Sequence, residues 1–381
     1  MDFSLTDEQE MFRKTVVSFV EKECPREVAR QYDENKQFPY DFYEKIARQG
    51  WFGLPFPEKY GGNNCGIMEL ILTTEAFAKY VYDIAGGYVT TMFCGLNILK
   101  HGTEEQKDYY VPRIVRGEIR LAISISEPAA GSDAAAISIS AVPDGDDFII
   151  NGEKMFCSGA EAKNTIITMA TRTDKHAQPR QKGISVFLVE NDTPGLTMRR
   201  IETLGRRTMG TFSLNLDNVR ISKNKMLGKL NEGWEVILGN LDKERIVASS
   251  AYVGQAQSVV NDALAYAKER VQFGKPIGKF QAISHMLADM QTKVEAARLM
   301  VYRAAWMLDQ GLPASKEVSM AKLFSSETLM EVATQGMQIM GGYGYCMEYD
   351  MQRYFRDAKI TTVSAGTSQM QRLIIARHMG L

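Results

Sequence analysis

Two stretches of the chain hold residues that could do chemistry. LDKERIV (241–247) sets Glu244 beside the apolar pair Ile246 and Val247. Asp242 and Arg245, three apart, can pair on one helix face. Read alone, Glu244 is either a proton-transfer carboxylate or, more plainly, a solvated one near a helix start. The second stretch is TTVSAGTSQMQR (361–372). Its centre, Ser364-Ala365-Gly366-Thr367-Ser368, has almost no side-chain volume. A loop so small is either a simple turn or a place where a ligand lies against the backbone.

Four further motifs could hold a polar or flat ligand. EPAAGSD (127–133) reads as a turn of small residues after a strand, with hydroxyl and backbone N–H donors. It serves equally as a tight connection. NGEKMFCSG (151–159) opens on Asn151-Gly152, a hairpin signal. Phe156 and Ser158, two residues on, share one strand face. A ring and a hydroxyl there can meet a flat heterocycle, or the Phe is simply core. RVQFGKPIGKFQ (270–281) presents Arg270 at a helix end beside helix-breaking Gly274, Pro276 and Gly278. That suits a phosphate, or only the helix C-terminus. QIMGGYGY (338–345) lets a backbone approach closely at Gly341 and Gly342. No strand precedes it, so it is not a dinucleotide fingerprint.

The elements that must position these motifs fall into three texture blocks. Residues 1–120 read as helices, with Thr6 and Gln9 as a capping pair and further runs at about 40–50, 67–80, 84–100 and 104–116. Residues 121–230 read as β, with strands at 121–126, 146–152, 165–172, 184–190 and 212–221. Residues 231–381 are helical again, in long runs at about 233–271, 279–310, 316–339 and 369–378. The expectation is a mainly α protein with a β-barrel-like middle domain and a C-terminal four-helix bundle. RYFRDAK (353–359) reads as a charged run before the small loop. The abundant methionines, 21 of them, read as core filling.

Composition excludes several classes. The chain has 381 residues, 45% hydrophobic and 24% charged, with a net charge of −1. Nothing there favours nucleic acid or an anionic membrane. The five cysteines include no CxxC pair, and the four histidines lie far apart, so neither a disulfide framework nor a metal site is expected. MDFSLTDEQEMF lacks an apolar signal region, and no run approaches a membrane span; the expected compartment is cytoplasmic.

In this order, EPAAGSD, NGEKMFCSG, RVQFGKPIGKFQ, QIMGGYGY and SAGTSQMQR resemble the acyl-CoA dehydrogenase family, with MDFSLTDEQE and PEKYGG (57–62) extending the match over nearly the whole chain. Ala129 stands where the family has Gly. The resemblance implies non-covalent FAD, a homotetramer, an acyl-CoA substrate and an electron-transferring flavoprotein as redox partner. It matches Ile125, Ser126, Phe156 and Ser158 to contacts of the flavin ring system. Arg270, Gln272, Phe273, Gln338, Gly341 and Gly342 match positions that reach the FAD of a neighbouring subunit. Thr367 and Gln369 match residues near its phosphates and adenosine. Ser132 and Arg245 match the CoA path.

Most members carry the catalytic Glu where this chain has Ala365. Isovaleryl-CoA dehydrogenase and its kin place it on the long helix, at the position matching Glu244. The resemblance thus assigns Glu244 as the base that removes the α-proton while a β-hydride moves to flavin N5. It leaves Ala365 the backbone N–H that bonds the thioester carbonyl. A hydrophobic cleft would raise the pKa of Glu244 toward the working range. Small Ser364, Ala365 and Gly366 leave room for a branched, cyclic or bulky acyl group. The helix at 84–100 holds no Arg for a distal carboxylate. The alternatives are an enoyl-CoA reductase resembling crotonobetainyl-CoA reductase, or a non-catalytic flavoprotein subunit.

Overall fold

The computed structural model describes residues 4–381. Met1, Asp2 and Phe3 of the MDFSLTDEQE match lie outside the described residues. The N-terminal segment is helical: α1 Asp7–Glu23, α2 Arg26–Glu34, α3 Tyr40–Arg48, α4 Ile67–Phe77, α5 Tyr82–His101 and α6 Glu104–Val115. The Thr6 hydroxyl accepts from the Gln9 backbone and the Gln9 side chain caps in return, so the predicted capping pair forms.

The middle segment is a sheet of β1 Arg120–Ser124, β2 Ser140–Asp144, β3 Asp147–Ser158, β4 Thr165–Arg172, β5 Ile184–Glu190, β6 Leu196–Ile201, β7 Thr211–Ser222 and β8 Met226–Leu227. Its order is β6-β7-β3-β2-β4-β5-β8, and β1 runs parallel to β4. The first and last strands of that path do not pair among the described residues. The sheet is therefore open, and the barrel-like expectation is corrected. Strands β2, β6 and β8 were not foreseen. Asn151-Gly152 is no hairpin turn either; the turn between β2 and β3 falls at Gly145 and Asp146. Gly152 lies inside β3 at φ 138°, where a Cβ would sit 2.9 Å from the Ile139 side chain, and Asn151 Oδ1 accepts from Asn218 N at 2.8 Å. The pair bends the strand at an irregularity in the β3–β7 register.

The C-terminal segment holds α7 Gly233–Leu238, α8 Leu241–Glu269, the hairpin β9 Val271–Gln272 with β10 Lys275–Pro276, then α9 Gln281–Asp309, α10 Ser315–Met340, α11 Gly342–Tyr345, α12 Met351–Thr361 and α13 Ser368–His378. The single helix expected at 233–271 breaks at Gly239 and Asn240. A Cβ on Gly239 would sit 2.7 Å from His101 Nε2, and Asn240 Nδ2 donates to buried Asn97 on α5 at 2.8 Å. The break starts α8 at a fixed height against α5 and puts Glu244 in its first turn.

The charged run RYFRDAK turns out to be helix α12, and most of it is buried. Its charges are matched from afar: Arg356 pairs with Asp33 at 2.5 Å, and Asp357 accepts from Arg206 N at 2.8 Å. Asp350, at its N-terminus, receives Arg26, Arg30 and Arg353. Asp33, Arg26 and Arg30 thus join the N-terminal helices to α12, and Arg206 joins the middle segment to it.

Helices α4 and α8 pack closely enough to need glycine. A Cβ on Gly254 would lie 2.0 Å from the Glu75 carbonyl oxygen, a backbone atom that cannot swing aside. Gly254→Ala is expected to cost about 3 kcal/mol through forced separation of the helices. A thermal unfolding midpoint equal to wild type would refute this.

Candidate active site

Arg245, the residue after Glu244, meets the small loop some 120 positions further along the chain. Arg245 Nε donates to the Ala365 carbonyl at 3.4 Å, while Arg245 Nη1 lies 3.5 Å from Asp242. The i, i+3 pair expected from LDKERIV is thus present. Gln371 Nε2 donates to the carbonyls of both Ala365 and Gly366, at 3.3 and 3.1 Å. Ala365 sits at φ 53° and Gly366 at φ 85°. Successive left-handed residues turn the loop sharply, and for Ala that conformation is held by its surroundings.

The Glu244 side chain is half-buried at the start of α8. Burial raises its pKa to about 7, against the opposing charges of Arg245 and Lys322. A carboxyl poised there is half ionised near neutral pH and can take or give a proton. Its helix neighbour Tyr252, two turns on, feels the same charge. Tyr252 packs against Tyr82 of α5, ring centroids 5.8 Å apart, and its buried hydroxyl faces those of Tyr82 and Ser364.

A second group forms on the sheet. Phe156 is 60% exposed and sits at φ 62°, beside an irregularity in the β3–β7 register. Cys157 turns into the sheet core, and half-buried Ser158 follows. Met155 N donates to Ser126 O at 2.9 Å, and Lys154 Nζ donates to Ile125 O at 2.8 Å. So Ile125, Ser126, Phe156 and Ser158 lie together. Lys154 and Glu127, both buried, pair at 2.9 Å behind them. Burial pushes Glu127 up, but the Lys154 charge and donors from Ser138 and Ile139 outweigh it and hold the carboxyl below its usual range.

The third group lies at the far end of α8. Arg270 caps the helix and stands 5.4 Å above the Tyr343 ring, joining the RVQFGKP and GGYGY motifs. Phe273, at φ 50°, is 93% exposed; Gln272 and Gln338 are exposed too. Nothing stands within 4 Å of where a Cβ on Gly341 or Gly342 would be. Thr367 caps α13 by accepting from Met370 N at 3.2 Å, and Gln369 is exposed. Ser132 lies exposed in its turn, next to an Asp133–Arg180 pair, with no contact to Arg245.

Sequence reasoning missed three charged residues behind these groups: Glu127, Lys154 and Lys322. The first two stand inside motifs already singled out. Lys322 falls at helical spacing among Val318, Ala321, Ser325 and Leu329, all buried. A lysine on such a stripe is itself a signal.

An exposed phenylalanine in left-handed backbone, a hydroxyl two residues on and open backbone at two glycines fit a large flat cofactor bearing phosphates, as FAD does. Comparison with known proteins agrees. Three sequence profiles match in order: the acyl-CoA dehydrogenase N-terminal domain at 6–118, middle domain at 122–219 and C-terminal domain at 231–380. The chain is 38% identical to caffeyl-CoA reductase-Etf complex subunit CarC of Acetobacterium woodii, over 97% of this chain and 98% of that one. It is 37% identical to the short-chain specific acyl-CoA dehydrogenase of Clostridium acetobutylicum, over 99% of each. The solved butyryl-CoA dehydrogenase of Megasphaera elsdenii superposes with a TM-score of 0.94 at 35% identity, covering all of both chains.

The fold is that of a flavin-dependent oxidoreductase acting on CH–CH groups. The chain belongs to the acyl-CoA dehydrogenase family, and its cofactor is FAD. No described helix is long and apolar enough to cross a membrane.

Proposed function

We propose that the protein interconverts a branched, cyclic or bulky acyl-CoA and its α,β-unsaturated thioester, with Glu244 moving the α-proton. The observation that carries this reading is a half-buried carboxyl, poised at about 7, whose neighbour Arg245 bonds the loop that holds Ala365. Bound FAD supplies the hydride acceptor. Ile125, Ser126, Phe156 and Ser158 would hold its ring system. Thr367, Gln369, Arg270, Gln272, Phe273, Gln338, Gly341 and Gly342 would hold its phosphates and adenosine, the last six across a subunit boundary in a homotetramer. The 93% exposure of Phe273, beside half-exposed Val271 on the same hairpin, supports such an interface.

In the reaction Glu244 accepts the α-proton and becomes neutral. The Ala365 backbone N–H stabilises the charge that develops on the thioester oxygen. Ser132 and Arg245 line the CoA path. Small Ser364, Ala365 and Gly366 leave the acyl end open. That favours bulk over a straight chain. An electron-transferring flavoprotein takes the electrons.

The reverse direction is the second reading. It is favoured by the likeness to a caffeyl-CoA reductase-Etf complex subunit. Protonated Glu244 would then deliver the α-proton. The test is anaerobic. FAD-loaded enzyme is mixed with butyryl-, octanoyl-, isovaleryl-, cyclohexanecarbonyl-, glutaryl- and 3-phenylpropionyl-CoA, and flavin bleaching is followed. The branched, cyclic or aryl compounds are expected to bleach fastest. Fastest bleaching by butyryl- or octanoyl-CoA would sink the pocket argument. If none bleaches but an enoyl-CoA reoxidises the reduced flavin, the reductive direction stands.

A further inference from the structure

Lys322 is completely buried on α10, and its ammonium does not simply neutralise a carboxylate. It donates to the carbonyl of Thr361 at 2.9 Å and to that of Gly366 at 2.8 Å. Thr361 ends α12 and Gly366 lies just before α13, so one ammonium closes the whole intervening loop. The Gly366 carbonyl also receives Gln371, and the Ala365 carbonyl receives Gln371 and Arg245. Three inward donors thus fix the carbonyls of the two left-handed residues.

Lys322 also stands among the charges of the proton-transfer group. Burial pushes its own pKa down to about 8; the Arg245 charge adds to this, while those of Glu244 and Glu327 oppose it. Around Glu244 the charged and titratable neighbours are Arg245 and Tyr252 of α8, Lys322 of α10 and Cys94 of α5. A buried methionine would fill the same volume without the desolvation cost. The cation is therefore best explained by what it holds.

We propose that Lys322 is a positioning residue for the proton transfer: it staples loop 361–366 by two carbonyls, and its charge favours the ionised form of Glu244. This rests on Glu244 being the base. Lys322 itself exchanges no proton in the step; the α-proton goes to the Glu244 carboxylate and the ammonium stays charged.

The test compares Lys322→Gln and Lys322→Arg with wild type, using whichever acyl-CoA above bleaches wild type fastest. Wild-type bleaching should rise with pH through about 7. In Lys322→Gln the rise should move alkaline by about one unit, roughly a tenfold loss at pH 6 that shrinks by pH 9. Lys322→Arg should restore the position of the rise. Hydrogen exchange of the 362–368 amides, read without substrate, should speed up about tenfold in Lys322→Gln relative to the amides of α10. A rate lowered equally at every pH overturns the proposal, as does unchanged loop exchange.

If Lys322→Gln does not fold, wild-type exchange decides. Corrected for intrinsic rates, loop protection should fall between pH 7 and 9.5 as the ammonium loses its charge; constant protection overturns the proposal. Glu244→Gln, run alongside, separates the two ideas. If it bleaches like wild type, the base is wrong, whatever the loop exchange shows.

Discussion

Glu244→Gln is expected to slow anaerobic flavin bleaching by roughly 10²- to 10⁴-fold, the usual loss when a positioned general base is removed. Gln keeps the volume and can still hydrogen-bond, so substrate binding, read from the spectral shift of the oxidised flavin, should change little. The same substitution has an opposite effect on stability. The Glu244 carboxyl titrates at about 7, above its ordinary 4.5, because burial disfavours its charged form. The folded protein therefore binds this proton more tightly than the unfolded chain does. Stability is present in full below about 4.5 and falls as pH rises to 7. Gln removes the charge and with it the loss. Glu244→Gln should be more stable than wild type at pH 8, by about 1–3 kcal/mol, and indistinguishable near pH 4. A variant that bleaches normally moves the base elsewhere. One that bleaches slowly but gains nothing at pH 8 places Glu244 in water.

Lys154→Met should be the most damaging single change on the sheet, at about 3–5 kcal/mol. Lys154 and Glu127 are both buried, and the lysine also donates to the Ile125 carbonyl. Removing the lysine leaves a carboxylate buried with only neutral donors. It also frees the strand end that carries Ile125 and Ser126. The apparent melting point should fall, and FAD should be retained less well on gel filtration. Adding Glu127→Gln should recover part of the loss, because the uncompensated charge is then gone. Thermal unfolding of the single and double variants measures both. A single variant within 1 kcal/mol of wild type would mean that Glu127 finds water, contrary to its burial.

The motifs and the periodic runs were readable in one dimension because each is local. Helix spacing along α9 and α10 and β-branched runs along β4 and β5 depend on near neighbours alone. So do the small residues of SAGTS and the order of motifs on which the family resemblance rests. What the chain hid from such a reading is what depends on distant partners. Helix α12 was masked because its charges look solvated until Asp33 and Arg206 arrive from other segments. Asn151-Gly152 signals a turn only until β7 and Ile139 claim it for a strand. An open sheet and a closed barrel share one alternation, since closure depends on whether the edge strands pair. Glu244 follows the same rule. Its type and place on α8 came from sequence, but its proton affinity did not. Its partial burial and the charges of Arg245 on α8 and Lys322 on α10 set that, and only the folded chain brings those groups together.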